Sequence, residues 1–164
     1  MEDTTPIQCE RTLLQAVKSL YRDHSACVRV GAGMSPWFDI RSGVKQGCAM
    51  SAWLFNLYLN SCLQGVKQSG MGVKVGNLNV NCLLYADDAV LIASSEYKLQ
   101  ALVTTLKEGC EHNGISLNVN KIKVLIFERD EERTECKISV NGKILEQVNE
   151  VVYLGSMFSR DGRY

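Results

Sequence analysis

The sequence predicts one α+β domain in which antiparallel strands, among them an acidic β-hairpin, pack against helices. Three observations carry that expectation. Apolar residues recur at helical spacing in three separate stretches, several short runs bounded by turn residues read as strands, and no internal repeat, low-complexity segment or linker divides the chain. With 164 residues, 46% of them hydrophobic and 22% charged, the chain is long enough for one core and short for two.

Thr5 followed by Pro6 is a cap and first-turn pair, after which Leu13, Val17, Leu20 and Tyr21 share one face, so a helix is expected over residues 6–22. Residues 26–31 and 36–42 read as two strands joined at Gly31-Ala32-Gly33, and GVKQGC then forms a glycine-bounded loop. Ser51 is the expected cap of a second helix whose stripe is Phe55, Leu59, Cys62 and Val66, ending near Gly70. Leu78, Val80, Cys82 and Leu84 alternate with Asn79, Asn81, Leu83 and Tyr85, the pattern of a half-buried strand, and residues 89–93 read as its partner. Ser94 or Ser95 opens a third helix, with Leu99, Leu102, Val103, Leu106 and Cys110 in register and Asn113-Gly114 as its stop. Beyond it come a short strand at Lys123 to Phe127 and a charged loop, ERDEERTE. Ile138 to Val140 then leads into an Asn141-Gly142 turn, and the apolar stretch VVYLGSMF follows.

Asp87 and Asp88 fall at the tip of the hairpin, with apolar residues on both flanks and no basic residue within nine positions. Two carboxylates about 5 Å apart repel by roughly 3 kcal/mol at an effective dielectric near 20. An ordinary acidic turn explains the bend, since Asp tolerates turn dihedrals, but not the choice of two like charges. A divalent cation removes the penalty, because Mg²⁺ is held by one or two carboxylates together with substrate phosphates.

Composition excludes several classes. No apolar run is long enough for a membrane span, and the N-terminus lacks the basic-then-apolar pattern of a signal peptide, so an intracellular, non-secreted protein is expected. The seven cysteines form no C-x-x-C pair and read as scattered core thiols. Eighteen basic residues balance eighteen acidic ones, which counts against strong autonomous nucleic-acid binding. Arg29, Arg41, Lys45 and the lysines near position 121 are the local footprint from which weak binding is expected.

Four stretches in order, GVKQGCAMSAWLFNLYL at 43–59, LLYADDAVLIA at 83–93, SLNVNKIKVLIF at 116–127 and VYLGSMFSRDG at 152–162, resemble the palm motifs of reverse transcriptases, above all those of non-LTR retrotransposons. The resemblance implies a polymerase palm-like antiparallel sheet spanning residues 1–164 as a partial domain, and RNA-directed DNA polymerase ancestry. It makes Asp87 and Asp88 the metal-binding pair for two Mg²⁺ ions, with RNA template, DNA primer and dNTP as partners. It places Gly43, Gln46, Gly47 and Tyr85 at the nucleotide and template, and Lys121 near the leaving pyrophosphate, where it could give up a proton. Lys123 is the rival for that role. Tyr153, Leu154 and Gly155 resemble the primer-grip element.

Departures from the family pattern bear on activity. Ile122 stands where Thr is usual and Ala52 where Pro is usual. A third metal-binding Asp, within a motif like Asp-x-x-x-Ala-Tyr-Asp, has no match: Asp3, Asp23 and Asp39 lack that context. The expectation is therefore a palm truncated before its first catalytic motif and before the thumb, inactive alone and active only within a longer polyprotein. The alternative is an inert retroelement remnant that at most binds nucleic acid or protein. A two-carboxylate cyclase is a more distant reading, opposed by the glycine loop and the Tyr-Leu-Gly element.

Overall fold

A computed structural model describes residues 11–128 and 134–162. The Thr5-Pro6 helix start, Asp3 and most of the ERDEERTE loop lie outside the described residues. Contacts divide the chain into two compact units, residues 1–46 and 47–164.

In the first unit, helix α1 (Arg11–Tyr21) is followed by β1 (Ser25–Ala26), β2 (Arg29–Val30), β3 (Gly33–Met34) and β4 (Phe38–Asp39). β2 pairs antiparallel with β3 and β1 with β4, so the strand expected at 26–31 is split into β1 and β2, while the one expected at 36–42 is shortened to β4 and β3 forms next to the expected joint. The break has a local cause. The Val28 N–H donates to the Ser35 hydroxyl and the Ser35 N–H to the Val28 carbonyl, both at 2.9 Å, while Pro36 has no N–H to continue the ladder. Among its described residues none is buried.

The second unit holds α2 (Ala49–Cys62), α3 (Gln64–Gln68), the strands β5 (Val73–Val75), β6 (Leu78–Val80), β7 (Cys82–Tyr85) and β8 (Asp88–Leu91), and then α4 (Glu96–His112). Six short strands follow: β9 (Lys123–Leu125), β10 (Ser139–Val140), β11 (Lys143–Ile144), β12 (Glu146–Val148), β13 (Glu150–Tyr153) and β14 (Ser156–Ser159). Mixed helices and small sheets make this an α+β chain. Among the described residues every sheet is two-stranded; β9 and β12 run parallel and the other pairs antiparallel.

Three expectations need correction. Ser51 does not cap the second helix: the helix begins at Ala49, with Cys48 as N-cap and no side-chain cap, so Ser51 lies buried in its first turn. The helix is also two helices, joined at Leu63, whose backbone closes α2 and opens α3. Finally, the alternating stretch 78–85 is not one half-buried strand. Leu78 is 69% exposed while Asn81 is 7% exposed, because the chain turns from β6 into β7 at Asn81 and its carboxamide donates to the Val66 carbonyl at 2.6 Å. The same carbonyl also accepts from the Ser69 N–H at 3.2 Å and the Ser69 hydroxyl at 2.7 Å, so Asn81 joins the group of donors that closes the end of α3.

Helix α4 organises the core. Ser95 caps it, its hydroxyl accepting from the Lys98 N–H, and Gly114 ends it at φ +74°. Leu102 packs with Leu63 and Val66, while Val103 packs with Val124, Ile138, Val140 and Leu145; Leu91 of β8 touches both groups. The spacing of Leu99, Leu102, Val103, Leu106 and Cys110 thus presents one wide face to two neighbours at once.

Cys110 is buried beside Cys62, where α4 meets α2. Burial, then the neighbouring Cys62 thiol and its hydrogen bond, then Glu111, push the Cys110 thiol up to about 11. The folded state therefore holds this proton more tightly than the unfolded chain, and its contribution to stability is complete below the ordinary thiol value of 9.0. It is lost as pH rises from 9.0 toward about 11. Melting temperature is expected to fall over that interval, and to fall less in Cys110→Ala.

Candidate functional site

The sequence CLLYADDAVLIA builds a tight hairpin in the second unit. Tyr85 pairs with Asp88, leaving Ala86 and Asp87 as a two-residue turn. Ala86 has φ +51°, a left-handed conformation that glycine adopts freely and alanine does not. Such a residue costs about 1–3 kcal/mol unless its surroundings impose the geometry. Here they do. Register fixes the turn from inside, and the Ile92 N–H bonds to the Asn81 carbonyl at 2.9 Å, while Asn81 is itself tied to α3. The strained alanine sets Asp87 in the turn and Asp88 at the first ladder position.

Both carboxylates are exposed, and among the described residues neither has an ion-pair or hydrogen-bond partner. Beside them lies a cleft of about 420 Å³ between α2 and the hairpin, lined by Ala52, Phe55, Asn56, Leu84, Tyr85 and Ala86. Tyr85 stands at its edge, 63% exposed. The concavity has an apolar wall and one carboxamide, and the two carboxylates follow directly in the chain on Ala86, a lining residue, without lining it themselves. Among the described residues no group of three or more His, Cys, Asp or Glu side chains gathers as a metal cage.

The other candidate residues stand on different elements. Gly43 (φ +95°) and Gly47 (φ +77°) both adopt backbone that side-chain-bearing residues rarely take, which is the physical reason for glycine at each end of the GVKQG loop; Gln46 is exposed. Within that loop the Lys45 ammonium lies over the Tyr21 ring, 5.6 Å from its centre. Lys121 occupies a turn before β9, with its side chain exposed. Lys123 is ion-paired with Glu146. Tyr153, Leu154 and Gly155 form the tip of the β13–β14 hairpin, with Tyr153 paired to Ser156 and positive φ at both Leu154 (+49°) and Gly155 (+81°).

Reading the sequence missed three contributors. Asn81 looked like a solvent-facing strand residue, yet it anchors the hairpin; its partner is fifteen residues away, beyond any local pattern. Phe55 was read only as core stripe and Asn56 not at all, although both line the cleft. A helical wheel carrying the acidic hairpin on one side would have flagged them.

Residues 2–158 match the family model described as reverse transcriptase (RNA-dependent DNA polymerase). The chain is 32% identical over 156 residues to the Retrovirus-related Pol polyprotein from type-2 retrotransposable element R2DM of Drosophila melanogaster, covering 90% of this chain and 15% of that protein. It is 24% identical over 136 residues to the Pol polyprotein of a type-1 R2 element in Nasonia vitripennis, covering 83% of this chain and 13% of that one. A type-1 R2 polyprotein of Popillia japonica is 33% identical over 101 residues, with 60% and 14% covered. The chain thus spans between 13% and 15% of the length of these relatives. Divalent metal ions serve the enzymes of the matched family, and among the described residues no helix is long and apolar enough to cross a membrane. With the family model covering nearly every residue and R2 Pol polyproteins as relatives, this chain belongs to the reverse transcriptase family, as part of the reverse transcriptase domain of a non-LTR retroelement.

Proposed function

We propose that the chain supplies the palm-like centre of RNA-templated DNA synthesis, and the observation that carries this reading is the Ala86-strained hairpin, whose two unpartnered carboxylates follow directly on the cleft-lining Tyr85 and Ala86. Asp87 and Asp88 hold Mg²⁺, which when bound neutralises the triphosphate and lowers the cost of ionising the primer 3′-hydroxyl. Tyr85, Phe55 and Asn56 shape the wall against which the incoming dNTP packs. Gly43 and Gly47 let backbone approach nucleotide and template closely, with Gln46 positioning through its amide. As the 3′-oxygen bonds to the α-phosphorus and pyrophosphate departs, the Lys121 ammonium gives a proton to the leaving oxygen. Lys123 is the weaker candidate for that role, because its charge is already engaged by Glu146. The hairpin tip Tyr153-Leu154-Gly155, half-buried at Tyr153 and exposed at Leu154 and Gly155, bears on the primer strand. RNA template and DNA primer are the partners of the whole protein. A further carboxylate is expected from an Asp-x-x-x-Ala-Tyr-Asp segment, which these 164 residues do not contain.

The second reading, a non-catalytic element that binds nucleic acid or protein, rests on the same missing carboxylate and the neutral net charge. Thermal melting separates the two at the level of the hairpin. Asp88→Asn is expected to raise the melting temperature in EDTA, because it removes like-charge repulsion and keeps a turn-compatible side chain. Millimolar Mg²⁺ is expected to stabilise the parent chain more than the variant, since only a ligand that prefers the folded state adds stability. A parent chain indifferent to Mg²⁺, with Asp88→Asn no more stable in EDTA, leaves the pair an acidic turn and favours the second reading.

A further inference from the structure

Lys121 stands on a short turn whose construction reaches further than its own residues. The Asn118 side-chain oxygen accepts the Asn120 N–H at 3.2 Å, and the Lys121 N–H donates to the Asn118 carbonyl at 2.9 Å. Val119 and Ile122, on either side, pack against the cluster of Val103, Val124, Ile138, Val140 and Leu145. Those contacts fix the two ends of the turn but not its exposed middle, Asn120 and Lys121. The middle is held from another hairpin. Lys143, the first residue of β11, donates from its ammonium to the Asn120 side-chain oxygen. Its own place is set by the tight Asn141-Gly142 turn and by pairing with Val140, which is buried in the same cluster.

We infer that Lys143 is a positioning residue for Lys121: by holding Asn120 it fixes the direction in which the neighbouring lysine presents its ammonium, and its charge keeps the turn attractive to the oxygens of a departing pyrophosphate. The inference rests on the leaving-group role proposed above for Lys121. Chemistry supports a division of labour between the two. Among the described residues the Lys121 ammonium has no hydrogen-bond or ion-pair partner, whereas the Lys143 ammonium is committed to Asn120. A proton donor displaced by an ångström loses much of its effect, so a tether of this kind has a kinetic signature distinct from that of the donor itself.

The test is primer extension by a full-length protein that contains this chain, using dNTP analogues whose β,γ-bridging substituents span a range of leaving-group acidity. Lys121→Met is expected to lower kcat about a hundredfold or more and to steepen the dependence of rate on leaving-group acidity. Lys143→Met is expected to lower kcat roughly tenfold with the same steepening and little change in KM. Lys143→Arg should restore most of the rate, Asn120→Ala should reproduce the Lys143→Met defect, and Lys143→Met should add almost nothing to Lys121→Met. An unaltered rate in Lys143→Met overturns the inference; so does a loss of equal size for every analogue, or one that multiplies with Lys121→Met. If Lys121→Met itself extends primers at the parent rate, the leaving-group reading fails, and the inference fails with it.

Discussion

Asp88→Ala, in a full-length protein that contains this chain, is expected to abolish RNA-templated primer extension, a fall of about three orders of magnitude or more. Metal-held charge stabilisation contributes several kcal/mol to such a transition state, and each 1.36 kcal/mol is about tenfold in rate. The geometry makes compensation difficult. Asp88 is the first paired residue after the turn, opposite Tyr85, so its position follows from the ladder and not from a mobile loop. Asp87, within the turn itself, should be as intolerant. The defect should appear in kcat with template binding little changed, because an exposed carboxylate repels nucleic-acid phosphates and its loss does not weaken binding. Single-turnover incorporation at saturating dNTP reads it directly. Extension by Asp88→Ala within tenfold of the parent would place the metals elsewhere.

The second large effect is on stability. Gly109 lies in α4 where it crosses α2, and a Cβ built there would overlap the Cys62 carbonyl oxygen and lie 3.1 Å from the Cys62 carbonyl carbon. Both are backbone atoms of a helix end, so the obstacle cannot rotate away. Tyr58 and Ser61 of α2 bond to Asn113 at the end of α4, the serine hydroxyl at 3.1 Å, and lock the two helices at this separation. Helix propensity favours alanine over glycine by about 1 kcal/mol, and forced overpacking costs about 1–3 kcal/mol or more. The clash should win, decisively for a larger side chain. Gly109→Val is expected to destabilise the chain by roughly 3 kcal/mol, a drop of about 10 °C in Tm for a domain of this size. Gly33→Ala is the control: an added Cβ meets only the Val30 carbonyl oxygen at 3.6 Å, an ordinary contact, so its Tm should scarcely move.

Legibility in the sequence followed the range of the interactions. The α4 register, the Asn113-Gly114 stop and the Asn141-Gly142 turn were readable, and the cap was narrowed to Ser94 or Ser95, because each depends on residues within a turn or two. The placement of Asp87 in a tight turn was legible for the same reason, while Asp88 pairs with Tyr85 as the first residue of β8. What escaped depends on distant partners. Asn81 is buried by a carbonyl of α3, Gly109 is required by α2, and Lys143 reaches a turn twenty-three residues earlier. The start of α2 escaped for a different reason: Cys48 caps without a side-chain bond, so Ser51, the better capping residue by type, drew the boundary to itself. The splitting of the strand expected at 26–31 turns on one serine hydroxyl bonding across the hairpin, which no alternation of apolar residues encodes.

Whether the Ala86-Asp87-Asp88 tip holds a divalent cation can be tested on the chain itself. Mn²⁺ replaces Mg²⁺ at oxygen-ligand sites and broadens the NMR signals of nearby nuclei. Titrated into isotope-labelled protein at substoichiometric concentration, it is expected to erase the amide signals of residues 85–89 before all others, with the cleft residues Phe55 and Asn56 next. Mg²⁺ in excess should restore them, and Asp88→Asn should weaken the effect sharply. Broadening spread evenly over the exposed carboxylates, or unchanged in Asp88→Asn, would contradict the claim that this hairpin is built to hold metal.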